Sequence, residues 1–257
     1  MKSRICLGCC HGILQPNAGD WNCDLFCSGD CAALNWAQNY NVPAAFTKTI
    51  ESKIPNQKGV ARALSWAKSL VDFKAKHQFG LVCHGRTSGN GKTRTGTLAQ
   101  MQLIGHGHEF GWAWMGSEKE ERLMSEDWSG CGQWLSAMSF KTKHLKVCRK
   151  SEERAKWFES LCYCDVLLLD DIDKISASEG LLETLFGVLD YRLHSEKVTI
   201  MTTNLVGEEL AGEWTVGAGS KTDDRYGKAL VRRIREECLC LNFDIAIGKP
   251  NVIPMSA

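Results

Sequence analysis

No apolar run in this chain approaches the roughly 20 residues that a membrane-spanning helix requires. Its amino terminus, MKSRICLGCCHG, lacks the apolar core of a signal peptide. The expectation is a protein of the reducing cytoplasm with no membrane attachment. Excess charge is missing as well: 31 basic residues face 30 acidic ones, a net charge of +1. That excludes nucleic-acid binding by a bulk polycation and leaves only a local patch. There is no internal repeat, no low-complexity segment and no long linker. What remains is an ordinary globular composition, 44% hydrophobic and 24% charged. Its 257 residues suffice for one α/β domain of about 200 residues with a small appendage.

Cysteine is plentiful but unevenly placed. Six of the 13 fall within the first 31 residues, whereas a secreted disulfide scaffold would be shorter and would spread them. Cys6-Leu-Gly-Cys9 and Cys27-Ser-Gly-Asp-Cys31 are two pairs separated by 17 residues. Gaps of two or three residues let both thiolates of a pair face one ion, and four sulfurs complete a tetrahedral Zn²⁺ site. Cys10, His11 and Cys23 are spare or substitute ligands. A segment this poor in hydrophobes can hardly bury six free thiols, and zinc would supply folding energy on the order of 10 kcal/mol. Residues 1–33 are therefore expected to form a small zinc-binding module, followed by a helical linker over 34–57 and the main domain over 58–257.

The main domain has a strand–helix alternation. Helical spacing links Ala63, Leu64, Trp66, Ala67, Leu70, Val71 and Phe73. Short apolar runs follow at Gly80–His84, Phe110–Met115, Val166–Leu169, Val198–Thr202 and Cys238–Phe243, with longer amphipathic stretches between them. Five strands alternating with helices predict a three-layer α/β fold around a parallel sheet.

The first run leads into Gly85-Arg-Thr-Ser-Gly89-Asn90-Gly91-Lys92-Thr93-Arg94. Glycines let consecutive backbone N–H groups turn toward phosphate oxygens, and a helix opening at Lys92 adds partial positive charge. In this P-loop reading Gly89 to Arg94 bind ATP, with Lys92 reaching the β- and γ-phosphates and Thr93 ligating Mg²⁺. The usual pattern has four residues between its first glycine and GK[ST], but five separate Gly85 from Gly91. Either the loop is one residue longer or Arg86 stands at the first glycine position.

A second run, Val166-Leu-Leu-Leu-Asp170-Asp171-Ile-Asp173, ends in carboxylates 77 residues after Thr93. Four consecutive apolar residues suit a strand covered on both faces, and ligands of such sheets bind at carboxyl strand ends. Asp170 would hold Mg²⁺, and Asp171 would orient or deprotonate the attacking water. Asn204, after the Val198–Thr203 run, would hydrogen-bond the γ-phosphate or that water. In Arg225-Tyr-Gly-Lys-Ala-Leu-Val-Arg232-Arg233-Ile-Arg235, Arg233 is the first candidate for an arginine completing a neighbour's site. Arg232, Arg225 and Arg192 come after it.

Basic residues also lie beside aromatics between the second and third runs: Trp134, Phe140, Lys141, Lys143, His144, Lys146, Arg149 and Lys150. Stacking plus phosphate tracking would suit single-stranded DNA. A solvated basic face with the aromatics turned inward fits the same residues.

The order GNGKT, LLLDDID, DYRLHSEKVTIMTTN and RRIREEC before a last strand resembles the DnaC/IstB group of AAA+ ATPases over residues 58–245. Within that group, phage-type helicase loaders are the nearest likeness. The resemblance implies a five-stranded AAA+ core without a helical lid, and the chain stops soon after its fifth strand. It also implies ATP hydrolysis in assembled subunits in a bacterial cytoplasm, possession by a cell or its phage, and delivery of a hexameric replicative helicase to single-stranded DNA. In related loaders the amino-terminal part touches the helicase, so the zinc module would be the hook, with DNA contact as its competing role. Asp171 stands where many AAA+ proteins use Glu, although Asp is common there within this group. Two other readings stay open: a transposition-helper ATPase of the same group and a non-replicative P-loop switch.

Overall fold

The computed structural model describes residues 42–47, 53–71, 78–109, 132–175, 179–214 and 225–244. The amino-terminal cysteine segment and the expected strand at Phe110–Met115 lie outside these residues. A single helical turn, α1 (Ala44–Thr47), precedes α2 (Gln57–Val71), β1 (Gly80–His84) and α3 (Lys92–Glu109). Next come β2 (Gly132–Ser136), α4 (Ala137–Val147), α5 (Ser151–Tyr163), β3 (Val166–Asp170) and a 3₁₀ turn at Ile172–Lys174. The chain continues through α6 (Glu179–His194), β4 (Val198–Thr203), α7 (Gly207–Glu213), α8 (Arg225–Glu237) and β5 (Cys238–Asn242).

All five strands pair in parallel in the order β2-β3-β4-β1-β5. β1 runs opposite Thr199–Thr203 on one side and Cys238–Asn242 on the other, so the ends of three strands come level. β3 and β4 are buried along their whole length because both of their faces are covered. Successive side chains alternate between two cores. Leu81, Cys83, Leu168 and Ile200 face α2 and α3, meeting Ala63, Trp66, Leu70, Ala99 and Leu103. Val82, Leu167, Leu169 and Met201 face the opposite layer, formed by α4, α5, α6 and α8. The three-layer α/β expectation is met.

The edge strand β2 was not expected. Its residues, Gly-Gln-Trp-Leu-Ser, are mixed in polarity because an edge strand is only partly covered. Trp134 lies in it, packs on the α2/α3 core and donates its indole N–H to Thr97 Oγ1 at 3.2 Å.

Candidate nucleotide-binding site

The loop between β1 and α3 needs glycine at two positions. Gly89 and Gly91 have φ of +82° and +90°, a region that side-chain-bearing residues rarely occupy. A Cβ at Gly91 would also fall 2.3 Å from Ile54 Cγ2. The last strand fastens the loop: the Thr87 amide donates to Asp244 Oδ1 at 3.0 Å, and Asn90 Nδ2 donates to the Phe243 carbonyl at 2.9 Å. Arg86 reaches outward to Glu209 on α7. Asp244 illustrates the local balance. Burial alone would raise its pKa, but the Thr87 and Arg86 amides and the Lys92 charge outweigh that and hold it below the usual carboxylate value.

Lys92 opens α3 and is only 6% exposed. Its ammonium donates to the Gly85 carbonyl at 2.7 Å and to the Thr87 carbonyl at 3.0 Å. Burial lowers its pKa, while Asp244, Asp171 and Asp173 oppose that shift by favouring the cation. Arg94, one turn into the helix, is exposed.

The end of β3 meets this helix. Thr93 Oγ1 donates to Asp170 Oδ1 at 2.6 Å, and Thr202 Oγ1 donates to the same oxygen at 2.6 Å. Asp170 is 7% exposed. Its pKa is raised, chiefly by burial and further by the Asp171 charge, with the two hydroxyls working the other way. Asp171 adopts the left-handed region at φ 57°. Its amide donates to Thr202 Oγ1 at 2.8 Å and its carboxylate pairs with Lys174. Asn204 sits at the end of β4, where its amide N–H and its Nδ2 donate to the two oxygens of Asp173 at 2.9 and 3.0 Å. Lys92, Thr93, Asp170, Asp171 and Asn204 thus gather at one edge of the sheet.

The candidate arginines divide by exposure. Arg233 is 39% exposed at its side chain, and its Nε lies 2.9 Å from Asp190 Oδ1 on α6. That oxygen accepts no hydrogen bond, so the contact is an ion pair with the N–H directed elsewhere. Arg192 cannot be a trans-acting arginine at all. It is fully buried and donates to the carbonyls of Leu161, Cys162, Cys164, Asp165 and Val198, and to Thr199 Oγ1. Arg232 is 79% exposed at its side chain and holds only Glu236, one turn away. For Arg225 only the backbone is described, at the start of α8.

In the basic stretch the rings turn inward, the second of the two arrangements open to the sequence. Phe140 is fully buried and stacks near Trp157 with ring centroids 5.2 Å apart, and His144 is buried beside it. Trp134 is partly buried against the α2/α3 core. α4 instead exposes Lys143 and Lys146 alongside Met138 and Leu145, which are 71% and 63% exposed. Cys6, Cys9, Cys27 and Cys31 lie outside the described residues. Among the described residues no group of three or more His, Cys, Asp or Glu side chains is placed to hold a metal ion by itself, and no helix is long and apolar enough to cross a membrane.

The described residues thus form a parallel sheet in this order, with a glycine loop after β1 and an acidic end to β3. Among solved structures, the DnaC helicase loader is similar at a TM-score of 0.54 and 17% identity, covering 78% of this chain and 99% of that one. DnaI is similar at a TM-score of 0.51 and 19% identity, covering 82% of this chain and 93% of that one. No protein-family model and no curated protein matches the chain. At these identities the likeness establishes the fold.

Proposed function

We propose that this chain is an ATP hydrolase that loads a hexameric replicative DNA helicase onto single-stranded DNA. The observation that carries the enzymatic part is the 2.6 Å contact between Thr93 and Asp170, residues from two separate motifs, beside the buried ammonium of Lys92. The loader assignment rests on the sequence resemblance, to which the fold likeness to DnaC and DnaI lends support.

The residues fit a magnesium nucleotide. Mg²⁺ is ordinarily held by one or two protein oxygens together with phosphates and water, so Thr93 and Asp170 are sufficient without a protein cage. Bound there, the ion would neutralise phosphate charge. Lys92 exchanges two loop carbonyls for the β- and γ-phosphates, and the loop amides and the start of α3 hold the same groups. Asp171, turned out of the strand by its left-handed backbone, orients the attacking water. Asn204 fixes the γ-phosphate or that water. The arginine supplied to a neighbouring subunit is assigned to Arg232, whose side chain is 79% exposed against 39% for Arg233, with Arg233 as the alternative because exposed pairs of either kind are readily exchanged.

Single-stranded DNA would meet α4 through Lys143 and Lys146, with Met138 and Leu145 as its apolar contacts. The cysteine module at 1–33, holding Zn²⁺ through Cys6, Cys9, Cys27 and Cys31, is assigned to helicase capture. The test is co-sedimentation with a replicative helicase hexamer in Mg²⁺-ATP, alongside fluorescent-nucleotide titration. Lys92→Ala should weaken nucleotide binding by at least about tenfold, since a hydrogen bond to a charged group contributes roughly 1.5–3 kcal/mol, and should abolish ATP-dependent association. Unchanged nucleotide affinity would overturn the site. Normal nucleotide binding by wild type without helicase association would overturn the loader assignment alone.

A further inference from the structure

In the sequence Asp173 is only the third acid of the run that begins at Val166. The structure gives it a specific set of contacts. It lies in the 3₁₀ turn Ile172–Lys174 that follows β3, and both of its oxygens are engaged by Asn204, 31 residues later on the neighbouring strand. One oxygen takes the backbone N–H and the other takes Nδ2. We propose that Asp173 is a positioning residue for the hydrolysis assigned above: it fixes which atom of the Asn204 amide faces the nucleotide site. The inference rests on that ATPase reading.

The argument is one of donor and acceptor inventory. An Asn side chain has one oxygen that only accepts and one nitrogen that only donates, and the two are nearly isosteric. An ionised carboxylate can only accept. Facing Asp173, Asn204 must therefore turn Nδ2 toward the carboxylate, because the flipped amide would bring two acceptors together. The flip is thereby excluded chemically. Asn204 Oδ1 and the second Nδ2 hydrogen are left pointing away from Asp173. The backbone hydrogen bond to Asp173 Oδ1 at 2.9 Å also fixes the end of β4, so backbone and side chain of Asn204 are set by one group.

The test is a double-mutant cycle on steady-state hydrolysis, with side-chain NMR on the same proteins. Asp173→Asn should lower kcat by roughly ten- to a hundredfold, the scale expected when a reacting group is misplaced by about an ångström. Nucleotide affinity should stay within about twofold if the effect is orientational and not one of binding. In an Asn204→Ala background, the same Asp173→Asn change should have no further effect on kcat, because Asp173 acts through Asn204. A turn-stabilising role alone would lower melting temperature equally in both backgrounds and leave kcat in place. The Asn204 side-chain amide should show one strongly hydrogen-bonded proton in wild type that is lost in Asp173→Asn. Undiminished kcat, effects that multiply across the cycle, or an unaltered Asn204 resonance would each overturn the proposal. Absence of hydrolysis by wild type would strike the ATPase reading itself, and the Asn204 resonance would then decide the pairing.

Discussion

Asp170 is caught between the water it has lost and the hydroxyls it has gained. Burial raises its pKa in the folded protein despite the hydrogen bonds from Thr93 and Thr202. A carboxyl whose pKa is higher folded than unfolded binds its proton more tightly in the fold. Its contribution is most favourable below the unfolded pKa and declines as pH rises through the folded one. At neutral pH the ionised group therefore costs stability, held in reserve for a cation. Asn at this position keeps an oxygen to accept both hydroxyls and removes the charge. Asp170→Asn should melt at or above the wild-type temperature without ligand, and should lose most of the further stabilisation that Mg²⁺-ATP gives wild type. Melting curves with and without Mg²⁺-ATP check this; an undiminished ligand-induced rise would refute it. At this scale the sequence was informative where a motif carries its own spacing, as for Lys92, Thr93 and Asp170. It was silent on Asp244, whose partner Thr87 lies 157 residues away, and on the Asp173–Asn204 pair, because neither contact leaves a local pattern.

Among the elements, α6 departs furthest from its appearance in the sequence. DYRLHSEK looks like the polar end of a surface helix, yet Arg192 turns inward and caps the carbonyl end of α5. Leu161, Cys162 and Cys164 supply last-turn carbonyls there, where a cation also meets the negative end of the helix dipole. Further bonds to Asp165 and Val198 tie the starts of β3 and β4 to the same guanidinium. Arg192→Met should cost at least about 3 kcal/mol by leaving several buried carbonyls without donors, a fall of roughly 6–12 °C in Tm for a domain of this size. Arg192→Lys should recover only part of it, since an ammonium cannot reproduce the planar fork. Calorimetry on both variants decides; a Lys variant as stable as wild type would refute the fork argument. Strands β1, β3 and β4 were legible because burial on both faces favours apolar and β-branched runs, and β5, the other edge strand, was legible from its short apolar run Cys238–Leu241. β2 was not, because an edge strand tolerates Gln133 and Ser136. The aromatics of the 134–150 stretch misled for a related reason: amphipathic helices place rings and lysines side by side in sequence while sending them to opposite faces.

For the whole molecule, the composite site proposed between subunits has a direct test. Lys92→Ala chains retain Arg232 but cannot bind nucleotide, and Arg232→Ala chains bind nucleotide but cannot complete a neighbour. Each should hydrolyse ATP poorly alone, because trans-acting arginines contribute on the order of 10³-fold. Mixed, adjacent unlike subunits regain one intact site, so partial rescue of turnover is expected. Rescue with Arg233→Ala and none with Arg232→Ala would return the role to Arg233 and require it to leave Asp190. The ties between the phosphate loop and β5 bear on a different matter, the order of events during synthesis. Asn90 and Thr87 are held by residues 153 and 157 positions further along, and Asn56 by one 186 positions on. While the ribosome is still making α8, the loop has its glycines, its lysine and its ties to Thr203 and Glu209 but lacks those to β5. Contacts of such long range form late, so a nascent chain gains a finished nucleotide cradle only when residues 242–244 have emerged, and a truncated product would be a poor competitor for subunits already complete.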